Sequence, residues 1–425
     1  MELELATEKQ SIGFESPSTS PSIIKVIGVG GGGGNAVNYM YNTGMHDVNF
    51  VVCNTDSKAL ADSPVPIRLK LGSEGLGAGN RPERAREAAM ESIDQIHQML
   101  DDGTKMVFIT AGMGGGTGTG AAPVIAHEAK KRGILTVGIV TIPFRFEGNK
   151  KIDQALDGVE AIWKEVDALL VINNERLREI YPDLTIRSAF EKADNTLAVA
   201  ARSIAEIITM HGIINLDFQD VGTVLREGGV AIMSTGYGEG ENRITKAIND
   251  ALHSPLLNST DISNSKKILV AISFSDNVED EGSSAELMME EMNEVHAFMS
   301  TFREDVETKF GLSVDPTLGS KVKITILATG FGINAVTGMK EKIDERSEAE
   351  AKRDAELREE RDERRSTFYG TKDSRGLQKR ISRIFLFEPQ DLENEEIITL
   401  VEAVPTSRRS KDYLANIKSK SAAAT

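Results

Sequence analysis

The chain has 425 residues, 40% of them hydrophobic, which is enough for two ordinary domains with cores of their own plus tails. Its net charge of −16 argues against general nucleic-acid binding, which needs a basic footprint. A single cysteine, Cys53, excludes an intramolecular disulfide, the histidines are scattered without zinc-ligand spacing, and no apolar run is long enough to span a bilayer.

Residues 1–21 are polar, end in Ser-Pro-Ser-Thr-Ser-Pro and lack the basic-then-apolar layout of a signal segment, so they are expected to be disordered. A buried-strand pattern at 23–29 runs into Gly30-Gly31-Gly32-Gly33-Gly34-Asn35-Ala36-Val37-Asn38, a glycine loop opening a helix. A second strand, 48–53, holds Cys53 as a buried thiol and ends at Asn54-Thr55-Asp56. A third, 67–71, leads into the glycine-rich stretch 72–80, and Pro82 then starts a helix reaching to about residue 100. The apolar run 106–110 precedes Gly112-Met113-Gly114-Gly115-Gly116-Thr117-Gly118-Thr119-Gly120 and a helix over 121–130. Strand 134–141, helix 153–164 and strand 168–172 follow. Strands alternating with helices predict a parallel sheet covered on both faces, with ligands at the carboxyl ends of its strands. All three glycine stretches follow a strand, so all three fall on that edge.

Apolar residues at helical spacing from Ile186 to Ile208 predict a long helix over 184–210, apolar around much of its circumference and buried between two domains. After His211-Gly212 comes Asn215-Leu216-Asp217-Phe218-Gln219-Asp220. Strands are expected at 230–234, 268–274 and 321–329, and helices at 242–252 and 285–310. The last helix opens on a capping box, Ser283-Ser284-Ala285-Glu286, and carries a core stripe of Met288, Met292, Val295, Met299, Phe302 and Val306. The chain thus divides into a disordered segment 1–21, a nucleotide-binding domain 22–211, a smaller α+β domain 212–335, a charged linker 336–390 and a tail 391–425. The tail ends in Arg408, Arg409, Lys411, Lys418 and Lys420, and Val404-Pro405-Thr406 and Asp412-Tyr413-Leu414 are candidate partner-docking peptides.

The glycine stretches carry the chemistry. Six of the nine residues at 112–120 are glycine. Glycine allows left-handed turns and lets a ligand touch the backbone. Successive N–H groups ending at a helix N-terminus form a pocket for an anion. Neither this loop nor the one at 30–34 contains lysine or arginine, so a phosphate there would be held by backbone dipoles and a metal ion. One alternative is a dinucleotide-dependent oxidoreductase, because Gly28-Val29-Gly30-Gly31-Gly32-Gly33 fits G-x-G-x-x-G and Asp56 ends the next strand as a ribose ligand would. That reading leaves 112–120 and 215–220 without a role. No G-x-x-x-x-G-K-[ST] occurs, so a nucleoside-triphosphate site without a P-loop lysine is favoured.

Gly114-Gly115-Gly116-Thr117-Gly118-Thr119-Gly120 resembles the glycine motif of the tubulin/FtsZ family. The resemblance extends through the first glycine loop, Asn54-Thr55-Asp56, Phe146-Glu147-Gly148, the segment 189–195 and Asn215 to Asp220, in the family's order. It implies a Rossmann-like parallel-sheet GTPase domain joined by a long central helix to a smaller α+β domain. It also implies a cytoplasmic GTPase that polymerises head to tail with Mg2+, forms the bacterial division ring, and meets membrane tethers and regulators through its tail. By the same resemblance Gly30, Gly31, Gly32, Gly33, Gly34 and Asn35, with Gly112, Gly114, Gly115, Gly116, Thr117, Gly118 and Thr119, would hold the phosphates and, at Asn35, the base. Asn54 and Gly79 join this GTP-binding set. Glu147 would contact the ribose, and Lys151 stands where the family often has arginine. Phe190 would stack on guanine, and Asp194, acceptor-only when ionised, would take its N1–H and amine. Asp217 and Asp220 would act on the nucleotide of the adjacent subunit, polarising the attacking water. No protein ligand to the metal is assigned.

Overall fold

The computed structural model describes residues 22–45, 47–210, 212–253, 262–276, 286–303 and 306–336. The expectations for 1–21, for the linker and tail beyond 336, and for Ser283, Ser284 and Ala285 lie outside the described residues.

In chain order the first half contains β1 (Ile24–Val29), α1 (Gly30–Asn42), β2 (Asn49–Asn54), α2 (Ser57–Ala61), β3 (Ile67–Lys70), α3 (Pro82–Glu91), α4 (Ile93–Leu100), β4 (Met106–Gly112), α5 (Thr117–Lys131), β5 (Leu135–Ile142), α6 (Asn149–Trp163), β6 (Ala168–Asn173) and α7 (Asn174–Ile180). The second half contains α8 (Ile186–Thr209), β7 (Gly212–Ile214), α9 (Phe218–Leu225), β8 (Gly229–Gly238), α10 (Arg243–Leu252), β9 (Lys267–Phe274), α11 (Met292–Met299), β10 (Glu307–Val314) and β11 (Val322–Phe331).

The strands form one sheet in the order β3-β2-β1-β4-β5-β6-β8-β11-β9-β10-β7. β1 to β6 are mutually parallel, as the alternation of strands and helices requires. β8 continues parallel to β6, with Ala168 opposite Gly229. Beyond it β11 pairs antiparallel with both β8 and β9, β10 runs parallel to β9, and the short β7 closes the edge antiparallel to β10. β1 and β5 are buried along their whole length, which is why they read as unbroken apolar runs. The exception in β1 is Lys25, 1% exposed, whose ammonium leaves the core to meet the Asp102 carboxylate at 2.7 Å and the carbonyl of Met99.

The long helix α8 is amphipathic. Its buried face, including Leu197, Ala200, Ala201 and Ile204, shares one core with Val26, Phe108 and Val137 on one side and with Met233, Leu269 and Leu327 on the other. At about 1.5 Å per residue its 24 residues span roughly 36 Å, so it connects the two edges of the sheet.

Several elements differ from the sequence expectation. The glycines 30–34 do not form a loop; they are the first turns of α1, entered through Gly30 at φ 73°. Glycine is a poor helix former, so contact with the sheet imposes this conformation. A Cβ on Gly33 would lie 2.1 Å from the carbonyl oxygen of Thr110, and only a helix without side chains here can approach β4 so closely. The helix expected over 82–100 is two helices, broken at Ser92, whose N–H bonds the Ala89 carbonyl three residues back and whose hydroxyl accepts from Gly72 N–H at 2.8 Å. The helix expected over 285–310 is confined to Met292–Met299, and residues 307–314 are a strand. Pairing with β9 claims 307–310, the last residues of the expected helix, for a strand on which Phe310, Leu312 and Val314 alternate. Met288 is 56% exposed and leaves the expected stripe, whereas Val295 and Phe302 remain buried in it.

Candidate functional site

The three glycine stretches meet at the carboxyl edge of the parallel strands. A Cβ on Gly30 would lie 2.8 Å from the backbone nitrogen of Gly118, and one on Gly32 would lie 3.2 Å from Cα of Gly112. The third stretch closes the other side: a Cβ on Gly116 would lie 2.9 Å from Cβ of Ala78 and 3.0 Å from the nitrogen of Arg81. Gly79 and Asn80 turn with φ 59° and 58°, a conformation both residues tolerate. Thr55, after β2, is hydrogen-bonded to Thr117 at 2.7 Å between hydroxyl oxygens. The N–H of Gly114 donates to the Thr119 hydroxyl at 2.9 Å. Gln154 of α6 donates to the carbonyls of Gly114 and Gly115, both at 3.1 Å, which ties two of the loop's acceptors to the neighbouring helix.

Around Gly31, Gly34, Gly79 and Gly115 there is open space where a side chain would be. The N-termini of α1 and α5 both end in this cradle, neither capped by a side chain and neither with an acid in its first turn. Their first N–H groups have no intrahelical acceptor, and both dipoles present their positive ends. Backbone donors from two helices and an open floor form a concave anion receptor. Asn35 lies exposed on α1 one residue after the glycines.

Glu147 and Lys151 border the cradle. The Glu147 carboxylate accepts the Phe144 N–H at 2.8 Å and the Lys151 ammonium at 2.5 Å. A carboxylate has about four acceptor positions, so a ribose hydroxyl can share it. Phe190 is 40% exposed, its ring edge-to-face with Phe144 at 5.2 Å and with Phe146 at 6.4 Å. Asp194 is one helical turn further along α8, on the same face as Phe190. Burial, with Glu191 nearby as a second negative charge, pushes the Asp194 carboxyl up to about 7. Asn54 is buried, its side-chain oxygen accepting the Asp56 N–H at 3.2 Å. Asp56, the acid on which a dinucleotide site would depend, caps α2 by accepting the Lys58 N–H at 2.9 Å.

Asp217 and Asp220 are not in this cluster. They sit at the start of α9, which packs on α8, β5, β9 and β11. The segment just after α9 is tied to the amino end of β6, where Gly228 N–H donates to the Asp167 carbonyl at 2.8 Å. Lys309, which bonds Asp220, is near the start of β10, and β10 runs in the same direction as β6, so the acid pair lies toward the amino edge of the sheet and the glycines at its carboxyl edge. Asp217 caps α9, its Oδ1 accepting the N–H groups of Gln219 at 2.8 Å and Asp220 at 2.9 Å. Asp220 returns the bond by accepting the Asp217 N–H at 3.2 Å. Its other oxygen meets the Lys309 ammonium at 2.9 Å, and that bond holds the carboxyl below the usual range. Among the described residues no three His, Cys, Asp or Glu side chains are grouped to hold a metal ion.

Sequence reasoning quoted Thr55 within Asn54-Thr55-Asp56 without giving it a role, and did not single out Gln154 or Lys309. Gln154 could have been found, since it is one turn after Lys151 on the same helix. Lys309 could not, being 89 residues from Asp220 within a stretch that reads as helix.

Comparison with known proteins agrees along the chain. Residues 23–182 match the Tubulin/FtsZ family GTPase domain, 229–332 the FtsZ family C-terminal domain, and 379–424 a further family described as FtsZ, C-terminal. The chain is 49% identical over 411 residues to the cell division protein FtsZ of Porphyromonas gingivalis, covering 93% of this chain and 87% of that one. It is 45% identical over 324 residues to that of Azotobacter vinelandii, covering 75% and 80%. A solved structure described as an empty FtsZ dimer of M. jannaschii superposes with a TM-score of 0.66 at 37% identity, covering 74% of this chain and 89% of that one.

Proposed function

Because the chain belongs to the tubulin/FtsZ family, as a tubulin-like cell-division GTPase, we propose that its glycine cradle holds GTP and that the seam between consecutive subunits hydrolyses it. The observation that carries this reading is the placement of two half-sites on opposite edges of one sheet. The cradle offers donors to a triphosphate, and the carboxylate at its border, Glu147, is already engaged by Lys151. The acid loop offers carboxylates that a triphosphate would repel if both sat in one pocket. Stacking subunits head to tail brings the acid edge of one onto the cradle of the next.

In this reading the uncapped N-termini of α1 and α5 bind the phosphates, with Gly30 to Gly34 and Gly112 to Thr119 letting them touch the backbone. Gln154 ties the Gly114 and Gly115 carbonyls to α6. Asn54 and Gly79 shape the walls, and Glu147 with Lys151 borders the ribose. Asn35, Phe190 and Asp194 receive the base; an ionised Asp194 accepts from guanine, whereas adenine offers it no matching pair of donors. Asp217 and Asp220 of the neighbour orient and polarise the attacking water, a positioning and electrostatic role suited to phosphoryl transfer. Mg2+ would enter with the nucleotide, held by phosphate oxygens and water, since no cluster of protein ligands is assembled for it among the described residues.

The same reading treats 22–211 as the nucleotide domain and 212–335 as the domain carrying the acid loop. It treats 336–390 as a spacer and 391–425, most of which lies within the matched 379–424, as the segment that docks membrane tethers and regulators. It places the polymer in the cytoplasm at the midcell ring.

The test is turnover against protein concentration. GTP hydrolysis per molecule should rise steeply above a threshold concentration, and Asp217→Ala should keep GTP binding while losing most turnover. A rate per molecule independent of concentration would contradict the shared site.

A further inference from the structure

We propose that Lys309 is a positioning residue for hydrolysis: it fixes the Asp220 carboxylate and offsets one of the acid loop's two negative charges as the loop meets a neighbour's triphosphate. The proposal rests on the assignment of Asp217 and Asp220 to hydrolysis given above.

The geometry is specific. The Lys309 ammonium stands 2.9 Å from Oδ1 of Asp220, with side-chain exposures of 34% and 28%. Oδ2 of Asp220 accepts the Asp217 N–H, so both oxygens of Asp220 are held, one by the backbone of its own loop and one by a strand. Asp217 is held through Oδ1 by two backbone N–H groups. The two acids therefore differ: Asp217 is oriented by its own helix, whereas Asp220 needs a partner from β10 to complete its orientation.

A second lysine holds the other end of the same helix. Lys267, at the start of β9, donates to the carbonyls of Thr223 at 2.8 Å and Arg226 at 3.1 Å. β9 and β10 are paired neighbours, so α9 is clamped at both ends by one strand pair. The other charged groups around the loop do not replace Lys309. Asp217 and Glu307 are negative, and both raise the affinity of Lys309 for its proton. Glu206 of α8 is paired with Lys323 of β11 at 2.6 Å.

A half-buried surface ion pair of this kind stabilises a fold only slightly, so a purely structural role predicts a small change in stability and none in chemistry when the charge is removed. A positioning role predicts a kinetic change. Lys309→Met, and Lys309→Gln as a second neutral variant, should bind GTP with wild-type affinity and assemble on adding GTP and Mg2+. Turnover per assembled subunit, with polymer measured by sedimentation, should fall about tenfold through loss of orientation. The acid limb of the pH–rate profile should move to higher pH, because Asp220 would then face only negative neighbours. Lys309→Arg should restore both rate and profile.

Wild-type turnover and an unmoved acid limb in both neutral variants, with Asp217→Ala and Asp220→Ala inactive, would overturn the role of Lys309 and leave the acid loop standing. Active Asp217→Ala and Asp220→Ala polymers would overturn both. Neutral variants that bind GTP but do not assemble would also overturn the proposal, since the lysine would then serve the contact between subunits and not the carboxylate.

Discussion

Asp194 shows how one side chain can link the proposed guanine site to pH. Folding raises its carboxyl from an ordinary 3.8 to about 7, mainly by burial. The folded chain thus holds this proton more tightly than the unfolded chain does. The stability it contributes is fully present below the unfolded value and is lost as pH rises through about 7. Asp194→Asn cannot ionise, so without nucleotide its Tm should match wild type below about pH 4 and exceed it by a margin that grows as pH rises to about 7 and then levels off. Guanine works in the opposite direction, because its N–H groups need the ionised carboxylate. GTP affinity should weaken as pH falls below about 7, by at most about tenfold per pH unit for one proton. Titration of a fluorescent GTP analogue between pH 5.5 and 8 tests this, and a flat profile would remove Asp194 from the base site.

At the scale of the element, α1 carries the decisive compromise. It is a helix of glycines because its approach to β4 leaves no room at Gly33, whereas Gly31 and Gly34 face open space. Gly33→Ala should force α1 away from β4 at a cost of about 1–3 kcal/mol or more, seen as a Tm several degrees lower. Gly34→Ala should gain up to about 1 kcal/mol of helix propensity and raise Tm by roughly 2–4 °C. Gly31→Ala should keep Tm but weaken GTP binding, because the space it fills is the floor of the phosphate cradle. If all three variants melted alike, close packing would not explain the glycines.

For the whole molecule, the sheet and α8 hold the glycine cradle and the acid loop on opposite edges, and under the proposed mechanism neither half is complete without a neighbour. All the residues assigned to either half, Lys309 included, lie between 30 and 309, before the end of the described span. A chain ending after residue 336 should therefore still bind GTP and scatter light on adding GTP and Mg2+. Loss of assembly on truncation would give the segment beyond 336 a part in the polymer and not only in tethering.

What the sequence determined by itself follows from local rules. Period-two and unbroken apolar runs placed β1 to β6, and strand–glycine–helix order put all three cradles on one edge, because parallel strands share a direction. The resemblance to the family then supplied the roles of Phe190, Asp194, Asp217 and Asp220, which no local pattern would have assigned. Tertiary structure decided the rest. The helix expected to run to 310 stops at Met299, and 307–314 become a strand paired with β9; the alternation of Phe310, Leu312 and Val314 was the period-two signal that the stripe ending at Val306 hid. The glycines 30–34 become helix because contact with β4 outweighs their intrinsic preference. The bond from Lys309 to Asp220 joins segments 89 residues apart, and only the pairing of β9 with β10 beneath α9 brings them together.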